Sequence, residues 1–207
     1  MVRRSQCSAP LYRLAARFCA GVPATEVAGT QVHIAASPDS VWNRILFYED
    51  VPKRAPLLLG ALLPRPIRTQ GDKNGVGSRV QCVYEGGRSL AKRITAVEPP
   101  STLQFEVTEQ SLGIEDCLVA TGGSYQIEAC GFSSHVTLTT TYRAFLHPRW
   151  LWRRVEAALM SQLHTHILRG LLVATSAENP ILSSASLATP RERPEGPACK
   201  AQSCSHH

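Results

Sequence analysis

Apolar and polar positions alternate with a period of two along much of the chain, and the period lengthens to that of a helix near the C-terminal end. In Thr30-Gln-Val-His-Ile-Ala-Ala, Val32 and Ile34 alternate with polar neighbours, the pattern of a half-buried strand. Ser37-Pro38-Asp39 follows: Ser37 can cap a helix and Pro38 fits its first position. Val41, Trp42, Ile45 and Leu46 then recur at helical spacing, which predicts a short amphipathic helix. Residues 47–70 carry no clear period, because Pro52, Pro56, Pro64 and Pro66 break any long helix. The apolar cluster Leu57-Leu58-Leu59 and Leu62-Leu63 within them needs cover, as core filling or as a short segment over a cavity mouth.

From residue 76 the period of two returns. Val80, Cys82 and Tyr84 share a face, and Glu85-Gly86-Gly87-Arg88 reads as a hairpin turn. Leu90 to Val97 is a returning strand stopped by Pro99-Pro100. Leu103, Phe105 and Val107 alternate with Gln104, Glu106 and Thr108, and Tyr125, Ile127 and Ala129 follow Gly122-Gly123. After a turn at 130–134, Val136, Leu138, Thr140 and Tyr142 alternate again, so the run reads as an antiparallel meander. Pro148 opens the last element. Leu151, Val155, Leu159, Leu163, Ile167 and Leu171 step by four, which predicts a helix over about 149–176, near 40 Å long at 1.5 Å per residue.

A sheet must cover one apolar face, and only this helix is long enough to do so. The predicted fold is α+β: a curved antiparallel sheet of about six to seven strands wrapped around one long C-terminal helix, with short helices after the first strand. Such a wrap leaves space for a pocket between sheet and helix.

Composition changes the picture at the ends. The chain has 207 residues and a formal net charge of +6. Residues 1–28 hold four Arg against one Glu, residues 29–177 hold fifteen basic against twelve acidic residues, and residues 178–207 balance. The body is only mildly basic, which argues against nucleic acid as a partner. The predicted organisation is a flexible basic extension over 1–28, a ligand-binding domain over 29–177 and a disordered Pro- and Ser-rich tail over 178–207. Arg13 and Arg17 interrupt any secretory apolar core, so the extension reads as a transit-like or disordered segment, or as an amphipathic arm presenting Leu11, Leu14, Ala15 and Phe18. No run of about 18 apolar residues is present. The seven Cys are irregularly spaced with no Cys-x-x-Cys; Cys82, Cys117 and Cys130 sit by apolar runs as small hydrophobes, and a reducing, cytoplasmic setting is expected.

Three stretches carry a resemblance. Val32-His-Ile-Ala-Ala-Ser-Pro-Asp-Ser-Val-Trp42 comes first, then Gly75-Val-Gly-Ser-Arg79, then Ile94-Thr-Ala-Val-Glu-Pro-Pro100-Ser-Thr-Leu-Gln-Phe105. With the helix opening at Pro148, this order resembles the START-like (SRPBCC) superfamily, which includes polyketide cyclases and lipid-transport proteins, over about residues 29–175. The ordering of elements carries most of the weight. The resemblance implies the helix-grip fold and a cavity for a small hydrophobic ligand such as a lipid, quinone or polyketide. The superfamily has no shared catalytic motif, so it carries over no catalytic residue.

Direct inspection finds no Gly-x-Ser-x-Gly elbow, and Gly71 to Gly77 precedes a strand, which excludes a helix-borne phosphate loop. His164 and His166 stand about 200° apart on the helix and cannot share a metal. No metal or cofactor is expected. On the helix, Leu159 and Leu163 centre the apolar face, with Glu156 on it and His166 beside it. Glu156 and His166 are candidate polar anchors; the alternative is that Glu156 pairs with an arginine at the sheet's edge and His166 is a boundary residue. Tyr84, Phe105, Tyr125 and Tyr142 are candidate wall residues, since an aromatic tip brings a hydroxyl to an apolar wall. On 90–97 either Arg93 with Thr95 or Leu90 with Ile94 faces in; Arg93 is the candidate anchor in the first case, and Lys92 is the inward charge in the second. An inward cation needs a partner, with Glu106 or Glu85 within reach. Arg149, Arg153 and Arg154 with Trp150 and Trp152 leave open a transient contact with a membrane surface. Three functions follow: a carrier or sensor of a small hydrophobic ligand, a cyclase- or dehydratase-type enzyme, and an interaction protein with a vestigial cavity.

Overall fold

The structure, a computed structural model, describes residues 22–45, 47–51, 56, 59–60, 63–72 and 75–176. The amphipathic face at 11–18, Leu57, Leu58, Leu62 and the tail beyond 176 lie outside the described residues. Strand β1 (Ala24–Ile34) is followed by a short helix α1 (Pro38–Trp42) and a 3-10 turn (Tyr48–Asp50). Then come β2 (Pro66–Gln70), β3 (Arg79–Tyr84), β4 (Arg88–Glu98), β5 (Thr102–Ser111), β6 (Leu118–Cys130), β7 (Ser133–Ala144) and the long helix α2 (Arg149–Ser176). Each strand pairs antiparallel with its neighbour in the order β1-β7-β6-β5-β4-β3-β2. This seven-stranded sheet wrapping one long helix is the helix-grip arrangement.

Ser37 caps α1 through the Ser40 amide, with Pro38 at the first turn. β1 begins at Ala24, ahead of the expected boundary at 29, and pairs with β7 from its first residue. β2 is a strand that the sequence pattern does not reveal. Pro66 opens it at the sheet's edge, where a missing N–H is harmless. β6 likewise starts before Gly122-Gly123, which lie inside it. A Cβ on Gly123 would come within 2.8 Å of the Phe105 ring and 2.5 Å of the Thr139 carbonyl oxygen, so only glycine lets the strands close there.

Four register shifts curve the sheet. One leaves Ile67 as the extra residue on the edge strand β2, and the other three each leave a threonine: Thr95 on β4, Thr108 on β5 and Thr121 on β6. Two of the three bond back across the seam, Thr108 to the Ala91 carbonyl (3.3 Å) and Thr121 to the Thr141 carbonyl (3.0 Å).

The core lies on the concave face. Val80, Cys82, Tyr84, Leu90, Ile94, Leu103, Tyr125, Ile127, Val136 and Leu138 meet Met160, Ile167, Leu168 and Leu171 of α2 there. The helix is turned slightly from its predicted phase. Met160, His164, Leu171 and Thr175 are buried, whereas Leu151 and Val155 are about half exposed. Cys82 and Cys117 are free, buried thiols as expected. Cys130, half-buried at the end of β6, is disulfide-bonded instead. No helix among the described residues is long and apolar enough to cross a membrane.

Candidate functional site

Between the concave sheet and α2 lies a cavity of about 380 Å³. That volume is in the range of small-molecule sites. Its floor is sheet: Leu90, Phe105, Val107, Tyr125 and Leu138. Its roof is α2: Trp152, Val155, Leu159, Met160, Leu163 and Ile167. Leu59 and Leu63, from the Pro-rich stretch, close one side with Phe47 and Tyr48. Leu59 and Leu63 therefore line the cavity as well as packing with the core. Val155 lines the cavity and is 49% exposed, so it stands at an opening to solvent.

A buried polar cluster breaks this apolar lining. The Lys92 ammonium donates to Glu49 Oε2 at 2.8 Å, and their side chains are only 6% and 1% exposed. The Tyr84 hydroxyl donates to the other Glu49 oxygen. The ammonium also lies 4.1 Å from the centre of the Phe47 ring and 5.8 Å from that of Phe105, within cation–π range. Burial pushes the Glu49 carboxyl up, but the Lys92 charge and the bonds from Lys92 and Tyr84 outweigh it and hold it below the usual range. Burial, reinforced by the Glu49 charge, pushes the Tyr84 and Tyr125 hydroxyls up. Burial likewise raises the Cys82 thiol to about 12. The Glu49 carboxylate is therefore held as the anion of the cluster, bonded to the Lys92 ammonium, and the phenols and thiol around it stay neutral.

A second charged group lies where the start of α2 meets β1. Arg149 makes a bidentate pair with Glu156 (both bonds 2.8 Å) and reaches Glu26 on β1 at 3.0 Å. Arg153 meets the second Glu26 oxygen at 3.2 Å. This is the alternative in which Glu156 pairs with an arginine by the sheet's edge, although Glu156 also lines the cavity. The four groups balance in charge.

Two further polar devices line or support the walls. β5 and β6 pair only from Thr102↔Gln126 to Glu106↔Gly122, and beyond that they part. The Gln110 side chain bridges the gap: its amide nitrogen donates to the Leu118 carbonyl (3.0 Å), and its oxygen accepts from the Ala120 N–H (2.9 Å). On α2, fully buried His164 bonds Thr140 (2.8 Å) and Thr30 (3.0 Å), and burial lowers its pKa to about 4. Thr140 faces the cavity, so His164 backs the wall without reaching the interior.

Of the candidates read from sequence, Tyr84, Phe105, Tyr125, Glu156, Leu159 and Leu163 line the cavity together. Three do not. Arg93 points outward, more than half exposed, and pairs with Glu106 on the outer face (Nε–Oε1 2.6 Å). Tyr142 is buried beside the Arg149 group, where burial raises its hydroxyl to about 12. His166 is buried against the Tyr48 ring, centroids 5.9 Å apart, and burial lowers its pKa. The inward cation is Lys92, and its partner is Glu49, neither Glu106 nor Glu85.

Lys92 was legible from the hairpin. A turn over 85–87 pairs Tyr84 with Arg88, hence Cys82 with Leu90 and Val80 with Lys92. Directly opposed residues share a face, so Lys92 follows Val80 inward. Glu49 carries no such signal, since it sits in an aperiodic stretch.

No family model matches the chain, and no curated protein matches it. Solved structures do share its fold. A norcoclaurine synthase point mutant from Thalictrum flavum, in complex with a transition-state analogue, aligns with a TM-score of 0.51 at 15% identity, over 77% of this chain and 99% of that one. The Zhui aromatase/cyclase from a Streptomyces aligns at 0.52 and 16% identity, over 78% and 99%. A Thermus thermophilus protein aligns at 0.52 and 18% identity, over 74% and 99%. At these identities the likeness is one of fold.

Proposed function

We propose that the protein binds a small hydrophobic ligand in this cavity, as a carrier or sensor, with the Lys92–Glu49–Tyr84 cluster holding the ligand's one polar end. The observation that carries the reading is a space of about 380 Å³, lined by apolar side chains and left open between sheet and helix, with a buried ammonium at its wall. A well-packed interior leaves few voids larger than a water molecule. A space this size therefore speaks against a vestigial cavity.

An enzyme of the cyclase or dehydratase type is the second reading. It is favoured by ionisable groups with displaced pKa values converging on one wall, and by the fold shared with a cyclase. The direction of the displacements weighs against it. A general base works best with a pKa near the working pH. Glu49 is moved further below neutrality and Tyr84 further above it.

Native followed by denaturing mass spectrometry of the protein, purified without detergent, tests the binding reading. A stoichiometric small hydrophobic molecule is the expected result. An empty protein that also fails to take up a hydrophobic dye sinks it. Turnover of a co-purified or added polyketide-like substrate, lost on Lys92→Met, would move the assignment to the enzyme.

A further inference from the structure

The charge balance of the cavity restricts the ligand, if the binding reading above holds. Lys92 has three N–H donors. Among the described residues its one hydrogen-bond acceptor is Glu49, and its remaining contacts are the faces of Phe47 and Phe105. The ammonium is buried and lines the cavity, so an unfilled donor is available to a ligand there. Its charge is not available in the same way, because Glu49 already neutralises it. The other carboxylate on the wall, Glu156, is neutralised by Arg149.

We propose that the ligand is an uncharged molecule that offers Lys92 a carbonyl or ether oxygen, and that the site discriminates against carboxylates. An oxygen acceptor fills the open donor and adds no charge. A carboxylate would place a second anion beside Glu49 in an apolar enclosure, leaving the cluster with a net negative charge that water cannot screen. Lys92 supplies the bond, and Glu49 sets the selectivity without needing to touch the ligand.

The probes are methyl decyl ketone and dodecanoate, which have equal carbon number. Each is titrated by displacement of a hydrophobic dye at pH 7.5 in the full-length protein. The ketone is expected to bind at least about tenfold tighter, the scale set by one extra charge in a poorly screened site. In Glu49→Gln, which keeps a hydrogen-bonding group of the same shape, the order should reverse, because Lys92 is then uncompensated. Equal or tighter binding of dodecanoate to the wild type overturns the proposal, as does an unchanged order in a folded Glu49→Gln. If that variant does not fold, the wild type still decides. Failure of both probes and of the dye counts against the cavity reading itself, not against the selectivity.

Discussion

A lysine ammonium is stripped of water only when something replaces that water. Here Glu49 and two aromatic faces do so for Lys92. Lys92→Met should therefore cost about 3–5 kcal/mol in urea unfolding, because it leaves the Glu49 charge buried without its counter-charge. Adding Glu49→Gln should restore much of that loss. Strict additivity in this double-mutant cycle would show that the two groups do not depend on each other. His164 makes a pH prediction. Its folded pKa, about 4, lies below the ordinary 6.5, so the unfolded chain binds the extra proton between those values. The stability it contributes is complete above about pH 6.5 and is lost as pH falls toward 4, by on the order of 3 kcal/mol for a shift of this size. Glu49, also held low, adds loss in the same direction below its ordinary 4.5. Urea midpoints of wild type and His164→Gln from pH 7.5 to 4.5 check this. The variant should start less stable and show the shallower slope.

Among the elements, the long helix divides into two functional lengths. Leu171 is fully buried toward its end, whereas Leu159 and Leu163 border open space. Leu171→Ala should cost roughly 2–5 kcal/mol, and Leu159→Ala and Leu163→Ala clearly less, since a side chain beside a void loses fewer contacts. Equal losses at the three positions would mean that the cavity is collapsed in solution. The β5–β6 seam gives another contrast. Gln110→Ala removes the partner of two backbone groups at once, which should cost about 1–3 kcal/mol and speed amide hydrogen exchange at Ala120. Helix spacing in the sequence fixes where α2 runs, but its phase is blurred by Leu151 and Val155, which keep the four-residue step while about half exposed, Val155 at the cavity's opening. A lengthwise apolar pattern cannot separate a residue facing core from one at an opening. β2 escapes detection for a different reason: an edge strand opened by proline has neither a full ladder nor a buried face to impose alternation.

For the whole molecule, curvature and charge pairing act together. The three threonine bulges bend the sheet, and the bend opens the space that α2 spans. Strands far apart in sequence then share its rim: β1 supplies Glu26 to the arginines that begin α2. A chain starting at residue 29 lacks the first part of β1 and Glu26, so it should melt below a chain starting at residue 22. Equal melting temperatures would show that this pairing contributes nothing.

By itself the sequence determined most of the strands and turns, the single covering helix and hence a curved antiparallel sheet on one helix, because alternation, glycine turns and helical spacing are local and are read along one dimension; it left the inward face of 90–97 open and gave no sign of β2. It also pointed to Tyr84, Phe105, Tyr125, Leu159 and Leu163 as facing a shared interior, where the structure places them, with Glu156 beside them. Only the tertiary structure decided which charges meet inside. Glu49 and Lys92 are 43 residues apart, and Glu26 and Arg149 are 123 apart. Nothing local distinguishes Glu49 from its neighbour Asp50, or the inward Lys92 from the outward Arg93 until the hairpin register is set. Charge compensation is a property of distance through space, and the fold alone sets that distance.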